Sequence, residues 1–282
     1  MNIHSHIEER FDMNDLMEQK FDDITYVVED AAAIVTINRP ERYNAFRSQT
    51  VDELITAFNL AWSDQRVRAV ILTGSGEKAF CTGGDVKQRA ETGDYGPSEL
   101  GRFRIGDLHK LMRDIPKPVI AAVNGIAIGG GHVLHVISDV SIASETARFG
   151  QAGPRVGSFD AGFGSAYLSR VVGEKKAREI WFWCRQYTAA EALDMGLVNK
   201  VVPADQLLAE AKSWVAEVAA LSPTAIRFLK QSFNADTDHQ AGFSNMAMTA
   251  LDIFGVSPEG MEGATAFAAK RPADFAPHVN WH

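Results

Sequence analysis

The sequence has few of the features that mark several large classes of protein. It contains only two cysteines, Cys81 and Cys184, among 282 residues, which excludes a disulfide framework and favours a reducing compartment. No apolar run approaches the ~20 residues that a membrane-spanning helix needs. Residues 1–22 lack the apolar core of a secretory signal and predict a loosely held arm. We therefore expect a cytoplasmic protein with no membrane partner.

The chain also lacks an excess of positive charge, because its 28 Lys and Arg residues are outnumbered by 36 Asp and Glu residues. The formal net charge is −8 at pH 7, and without a block of Lys and Arg the chain is a poor candidate for nucleic-acid binding. A local basic patch for a phosphorylated ligand stays compatible with this charge. The glycine patterns of dinucleotide and nucleoside-triphosphate sites are both missing. His132 and His135 lie three residues apart without a third ligand, so we expect no metal and place both at the edge of the core.

Short β-branched runs alternate along the chain with segments of helical spacing. Residues 24–30 and 32–40 predict a hairpin that ends at Pro40, and residues 48–64 predict an amphipathic helix. Buried strands are expected at 68–76, 117–125 and 139–150. Helical segments are expected at 99–114, 130–138 and 162–172. This repeated order of strand, glycine turn and helix predicts a layered α/β fold.

The chain changes character from about residue 174, where helical patterns dominate. Helices are expected within residues 173–186, 188–196, 203–221 and 222–235. We place a soft boundary near residue 205. The chain then divides into the arm of residues 1–22, a core of residues 23–204 and a helical C-terminal region of residues 205–282.

Two glycine clusters each follow an apolar run. Gly83 and Gly84 come after Ala-Phe-Cys, and the triplet 129–131 comes after Ile-Ala-Ile and opens a predicted helix. Glycine allows close approach to the main chain, and a helix N-terminus offers unpaired N–H groups. Two such places brought together would form an oxyanion hole for an oxygen that becomes negative during reaction. Tight turns and close packing are the alternative explanation.

Five stretches resemble the crotonase (enoyl-CoA hydratase/isomerase) superfamily: AFCTGGDV, VNGIAIGGGHVL, FGQAGPRVGSFDAGFGSAYLSRVVG, KKAREIWFWCRQYTAAEALDMGLVNKVVP and FAAKRPADF. Within it they are similar to the branch of 1,4-dihydroxy-2-naphthoyl-CoA synthase and 2-ketocyclohexanecarboxyl-CoA hydrolase. The resemblance runs from about residue 22 to the C-terminus. It implies a core of repeated ββα turns (a crotonase-like superhelix), a helical C-terminal trimerisation region, and a homotrimer or a hexamer. It also implies coenzyme A thioester substrates whose carbonyl oxygen binds the N–H groups of Gly84 and Gly130.

The resemblance also locates the catalytic positions. Hydratases of the superfamily use two glutamates, and the matching residues here, Val133 and Gly153, can neither activate water nor donate a proton. Simple enoyl-CoA hydration is therefore disfavoured. Asp160 has apolar neighbours that would raise its pKa and make it a general base near neutral pH, and a helix N-cap is its alternative role. Ser158 resembles the family's serine that binds the substrate's second oxygen, with a turn-forming role as its alternative.

Two further features of the synthases match this chain incompletely. Gln151, Gly153 and Trp181 match positions that hold bicarbonate in one class of synthases, but Ala152 replaces a threonine there, and Trp181 is equally compatible with the core. Bicarbonate is therefore an optional ion, and we expect no required cofactor. A tyrosine near the C-terminus of both relatives is replaced by Gly255. Tyr95 can supply a second, loop-borne tyrosine if its loop folds inward, and a surface position is the alternative.

The same motifs supply candidates for binding the coenzyme. Arg42, Lys270 and Arg271 resemble the cations that meet its phosphates, and solvated surface charge is their alternative role. Arg89 lies where the synthases place an arginine near the active-site loop. The remaining expected site residues are Ala45, Thr82, Gly83 and Asp85.

These residues are compatible with three functions. The leading hypothesis is an enzyme that opens the ring of a cyclic β-keto acyl-CoA, such as 2-ketocyclohexanecarboxyl-CoA, by retro-Dieckmann hydrolysis. Asp160, with Ser158, would activate water, and the resulting enolate would bind Gly84 and Gly130. The alternative is ring closure by a naphthoyl-CoA synthase, which the stretches GGGHVLH and VGSFDAG favour and Gly255 disfavours. A second alternative is an acyl-CoA-binding protein without catalysis.

Overall fold

Two β-sheets, packed with helices, carry the site in a computed structural model that describes residues 20–279. The strands are β1 (Ile24–Glu29), β2 (Ala32–Ile37), β3 (Ala69–Gly74), β4 (Ala79–Cys81), β5 (Val119–Val123), β6 (Ile126–Ile128), β7 (Val140–Ser144), β8 (Arg148–Gly150), β9 (Gln186–Thr188) and β10 (Lys200–Val202). The helices of the first part are α1 (Ser48–Ser63), α2 (Val86–Thr92), α3 (Ile105–Asp114), α4 (Gly130–Ile137), α5 (Ala166–Val172), α6 (Glu174–Trp183) and α7 (Ala189–Asp194). The last four are α8 (Leu207–Ala219), α9 (Pro223–Ala235), α10 (Gln240–Gly255) and α11 (Pro258–Ala268).

The larger sheet has the strand order β1-β2-β3-β5-β7-β10. The β1–β2 hairpin is antiparallel, as the sequence predicts, and every other neighbouring pair is parallel. Parallel strands are covered on both faces, which explains the nearly continuous apolar runs of β3 and β5. The prediction of a layered α/β fold is confirmed.

The smaller sheet has the order β4-β6-β8-β9. The first three of these strands each follow a strand of the larger sheet, so the chain repeatedly adds one strand to each sheet before a helix. This is the ββα repeat that the resemblance implies. The single strand expected at 139–150 is wrong: a turn closed by the Ala147 N–H and the Ser144 carbonyl divides it into β7 and β8, which join different sheets.

Two predicted helices begin later than expected. The segment 99–114 becomes helical only at Ile105, because the preceding residues form the loop that carries Tyr95. The segment 162–172 opens with a short 3-10 turn at Gly162–Gly164 before α5 begins. Both extra loops contribute residues to the site described below.

The helical region beyond residue 205 contacts the core at two places. Leu207, Ala211 and Val215 of α8 are buried in one apolar cluster with Ile34 and Ile71 of the larger sheet, so α8 belongs to the core layers by packing. Helix α11 packs against α2. The three-part division of the chain stays a prediction, and residues 1–19 of the expected arm lie outside the described residues.

Helices α9 and α10 expose large apolar side chains. Phe228 and Phe233 of α9 are 64% and 78% exposed, and Ile253 of α10 is 70% exposed. These faces are compatible with the trimerisation region that the resemblance implies, and assembly stays a prediction. Over residues 20–279 no helix combines the length and apolarity needed to cross a membrane.

Lys230 connects α9 to the core, and its removal tests that connection. Its Nζ donates to the carbonyls of Met112 and Lys117 and to Asp139 at 3.1, 3.0 and 2.7 Å. We expect Lys230→Met to remove this donor from the Met112 and Lys117 carbonyls, while Asp139 keeps the Val119 N–H, and to lower stability by about 2–3 kcal/mol, or about 5 °C in Tm by calorimetry. Lys110→Met is the matched control, because Lys110 pairs with an aspartate at the exposed surface. Equal effects of the two substitutions would contradict this role.

Candidate active site

A cleft of about 890 Å³ lies between the two glycine clusters and the C-terminal segment. Its inner end continues into a smaller pocket of about 70 Å³, and the two share Gly84, Tyr95, Gly129, Gly130, Gly153 and Ser158. The cleft contains the expected residues Arg42, Ala45, Thr82, Gly83, Asp85, Arg89 and Arg271. The inner pocket adds Gln151, Asp160 and Trp181. All the expected site residues except Lys270, which is exposed outside both spaces, therefore lie together.

The two glycine clusters meet through strands β4 and β6 of the smaller sheet. Phe46 forms a parallel bridge with Gly84, in which the Phe46 N–H donates to the Gly83 carbonyl and the Asp85 N–H donates to the Phe46 carbonyl. The N–H of Gly84 takes no part in this bridge. Gly130 is the first residue of α4, where a backbone N–H lacks an intrahelical acceptor. Neither N–H has an acceptor within the described part of the chain.

Close approach explains why these positions are glycines. A Cβ on Gly83, whose φ is +85°, would lie 2.7 Å from the Gly130 nitrogen, and a Cβ on Gly131 would overlap the Cys81 carbonyl. No side chain fits between the two segments. The two free N–H groups are thereby held near each other at the junction of cleft and pocket, where they can bind one oxygen.

A buried polar cluster that the sequence analysis missed fixes the first glycine segment. Arg39 donates to the Ala45 carbonyl at 2.5 Å and to the Asp85 carboxylate at 3.2 Å. The Asn44 amide donates to the carbonyls of Ser75 and Ala79 at 2.9 and 2.7 Å. These bonds join the 39–46 turn to the residues around β4. Apart from the Arg39–Ala45 bond within the turn, the partners lie 31 to 46 residues apart in the chain, so no local pattern could have identified them.

Asp160 has a carboxyl group in the inner pocket among apolar side chains. Burial raises its pKa to about 7, and a hydrogen bond from the Gly164 N–H offsets part of that rise. Its Oδ1 is shielded from solvent and has no partner among residues 20–279. Asp160 does not have the alternative role of an N-cap, because the caps of the following 3-10 turn and of α5 are Ala161 and Ser165. A carboxylate of this pKa can accept a proton near neutral pH.

Tyr95 turns inward rather than lying at the surface. Its ring atoms Cε1 and Cζ and its hydroxyl would lie 2.5, 2.7 and 2.8 Å from a Cβ on Gly84. The ring packs on Phe103 at 4.6 Å, and the Tyr95 carbonyl accepts the Ser48 N–H at 2.8 Å. Burial raises the pKa of the Tyr95 phenol, and nearby Arg89 lowers it in part. The phenol is therefore a protonated donor beside the Gly84 N–H.

Gln151, Gly153 and Trp181 lie together but fit bicarbonate poorly. The Trp181 indole N–H donates to the Gly164 carbonyl at 2.8 Å and is not free for an anion. A Cβ on Gly153 would lie 2.6 Å from the Ser158 carbonyl and 3.2 Å from the Trp181 ring, so the space beside Gly153 is filled. Ala152 adds no hydroxyl. We derive no step through this ion.

The two hydratase positions offer no acid–base group. Val133 is fully buried in the apolar core, and Gly153 is enclosed as described. Gly255 ends α10 and lines neither the cleft nor the inner pocket, although Phe254 beside it packs on Phe159 at 5.6 Å.

Arg89 lines the cleft, but its guanidinium binds backbone carbonyls of the protein and is not a free cation. It is 3% exposed, and its guanidinium donates to the carbonyls of Val156, Gly157 and Gly260 at 2.6, 3.2 and 3.4 Å. It thus ties α2 to the loop before Ser158 and to α11. Glu262 holds Arg271 through two bonds of 2.6 and 2.8 Å. Two further cations that the sequence did not single out, Lys87 and Arg155, also line the cleft; Arg155 lies inside one of the quoted motifs and Lys87 directly follows another.

Comparisons with known proteins identify relatives of this chain by sequence and by fold. The sequence model of a family described as Enoyl-CoA hydratase/isomerase matches residues 28–278. An enoyl-CoA hydratase from Mycobacterium avium subsp. paratuberculosis is 28% identical, with 91% of this chain and 100% of that chain covered and a TM-score of 0.80. An enoyl-CoA hydratase/isomerase from Xanthobacter autotrophicus is 30% identical, covering 90% and 100% at 0.77. A carnitinyl-CoA hydratase from Mycobacterium avium is 28% identical, covering 92% and 100% at 0.80.

The raised pKa of Asp160 makes stability depend on pH. Because the folded chain holds this proton up to about pH 7 and the unfolded chain releases it near 3.8, the stability contributed by the protonated form is lost as pH rises between these values. We expect Asp160→Asn to raise Tm by several degrees at pH 8 and to leave it nearly unchanged at pH 4. The exposed Asp252→Asn is the control in the same calorimetric series. A gain that is equal at both pH values would refute burial as the cause.

The filled space at Gly153 predicts that a hydratase glutamate cannot simply be restored. We expect Gly153→Glu to force a backbone shift, to lower Tm by about 5 °C or more, and to leave crotonyl-CoA hydration at the wild-type level. Gly242→Glu is the matched control, because a Cβ there meets open space on α10. Efficient hydration by a stable Gly153→Glu protein would show that the pocket geometry is different.

Proposed function

The chain belongs to the enoyl-CoA hydratase/isomerase (crotonase) family of acyl-CoA enzymes, and from that premise we propose that it opens the ring of a cyclic β-keto acyl-CoA by hydrolysis. The observation that carries the proposal is the position of Asp160, a base with a pKa near 7, in one pocket with the Gly84 and Gly130 N–H groups. The structural relatives are named as hydratases, but Val133 and Gly153 give this chain no hydratase acid or base.

The proposed reaction begins with water addition. Asp160 takes one proton from water while the water oxygen bonds to the ring ketone carbon, and Ser158 donates to the ketone oxygen. The bond between that carbon and the α-carbon of the thioester then breaks. Its electron pair passes to the α-carbon and the thioester oxygen, giving an enolate that accepts hydrogen bonds from Gly84 and Gly130.

Proton return completes the reaction. The α-carbon receives a proton from protonated Asp160, and the former ketone carbon becomes a carboxylic acid that releases the second proton of the water to solvent. The product is a ring-opened dicarboxylic acyl-CoA that contains one more water than the substrate. Tyr95 can donate a hydrogen bond beside Gly84 while the enolate exists, since its phenol stays protonated.

The inner pocket of about 70 Å³ continues into the cleft of about 890 Å³, so an acyl group can extend from one space into the other. One observation favours the alternative, a naphthoyl-CoA synthase: the loop tyrosine that the sequence analysis left open does lie inward, beside Gly84.

Mass spectrometry of two thioesters tests the proposal. We expect 2-ketocyclohexanecarboxyl-CoA to gain the mass of one water, at a rate that rises with pH through about 7, and Asp160→Asn to slow this by at least ~100-fold. Asp252→Asn serves as the control and is expected to behave as wild type. Loss of one water from o-succinylbenzoyl-CoA, with no ring opening of the first compound, would replace the proposal with the synthase. If the protein converts no cyclic β-keto thioester and no o-succinylbenzoyl-CoA, both catalytic proposals are refuted and acyl-CoA binding without catalysis is the function that remains.

A further inference from the structure

Two oxygens of the inner pocket lack hydrogen-bond partners. Gln151 Oε1 and Asp160 Oδ1 are both shielded from solvent, and neither has a partner within residues 20–279. Both side chains line the same pocket of about 70 Å³. Buried polar atoms are nearly always paired, so two unpaired acceptors in one small pocket indicate a ligand that donates two hydrogen bonds.

The orientation of the Gln151 amide is fixed by its neighbours. Its Nε2 donates to the Gly129 carbonyl at 3.3 Å, and a carbonyl can only accept. The amide oxygen must therefore point the other way. The same Nε2 lies 3.4 Å from His132 Nδ1, so this ring nitrogen is the acceptor and the ring proton is on Nε2.

His132 keeps this acceptor over the whole physiological pH range. It is fully buried on α4, two residues after Gly130, and burial lowers its pKa to about 3. The imidazole is consequently neutral, and Nδ1 retains its lone pair. Helix α4 therefore carries both Gly130, one of the two proposed oxyanion donors, and His132, which orients the Gln151 amide oxygen in the inner pocket.

We propose that Gln151 and Asp160 hold the water molecule that attacks the ring ketone, and that His132 is a positioning residue which turns the Gln151 amide oxygen toward that water. This inference rests on the proposed function. The two O–H bonds of water point at the two acceptors, which leaves its lone pairs free to bond to the ketone carbon. Asp160 then takes one of the two protons. An anion such as bicarbonate would instead place its own acceptor oxygens against Gln151 Oε1 and Asp160 Oδ1, which are also acceptors.

Partial reactions separate water attack from enolate formation. Exchange of the α-hydrogen of the ring-opened acyl-CoA in D₂O needs the base and the oxyanion donors but no attacking water. We expect Gln151→Met, which keeps length and removes the acceptor, to slow ring opening by about 100-fold and this exchange by less than about threefold. Equal losses in both reactions, or wild-type ring opening, would overturn the water-holding role.

His132 is tested with a matched buried histidine. We expect His132→Phe to lower kcat for ring opening by about tenfold with little change in KM, and His132→Asn, which restores an acceptor, to recover part of the loss. His109→Phe is the control, because His109 is also buried with its pKa lowered to about 4 but lies outside the pocket. A similar loss of kcat in His109→Phe would show that the effect of His132→Phe comes from general destabilisation and would overturn the positioning role.

A crystal structure distinguishes failure of this inference from failure of the proposed function. We expect a water within about 3.2 Å of both Gln151 Oε1 and Asp160 Oδ1, and its loss in Gln151→Met. Such a water in a protein that opens no cyclic thioester would uphold the site and refute the proposed function. Ring opening by a protein without this water would refute the site alone.

Discussion

The structure depends on the approach of two glycine segments that leaves no room for a side chain between them. Gly83 lies against the Gly130 nitrogen and Gly131 against the Cys81 carbonyl. The three-residue strands β4 and β6 bring the segments together, and the buried Arg39–Asp85 pair fixes one of them. The N–H groups of Gly84 and Gly130 have no acceptor among residues 20–279, and we propose that they bind one oxygen of the ligand. Such preset donors need no reorganisation during reaction, which is why they stabilise a developing negative charge so effectively.

The pocket beside these donors is built at a cost to stability. Asp160 carries its carboxyl group in surroundings that disfavour its charge, and Gln151 presents an unpaired oxygen. Unpaired buried acceptors are destabilising, and fully paired groups elsewhere compensate. Lys230, with three partners, is one such group. The same unpaired oxygens are the ones available to water and substrate, so function and local instability have one physical origin.

The α/β fold could be predicted from the sequence because it depends on contiguous patterns of strand and helix, whereas the assignment of Gly84 and Gly130 as donors came from the resemblance and stays a prediction. The sequence also suggested that Val133 and Gly153 cannot act as acids or bases, since residue type alone decides that. The inward turn of Tyr95 could not be predicted, because it depends on packing against Phe103. Nor could the contact between His132 and Gln151, whose positions lie 19 residues apart in the chain. Contacts between separate elements carry no signal in the spacing of residues along the chain.

The most direct measurement is a crystal structure of the Asp160→Asn protein with acetoacetyl-CoA, a small β-keto thioester. The account predicts the thioester oxygen within about 3.1 Å of the nitrogens of both Gly84 and Gly130, with the ketone directed toward residue 160 in the inner pocket. A thioester oxygen bound by only one of these N–H groups, or placed outside the junction of cleft and pocket, would contradict it.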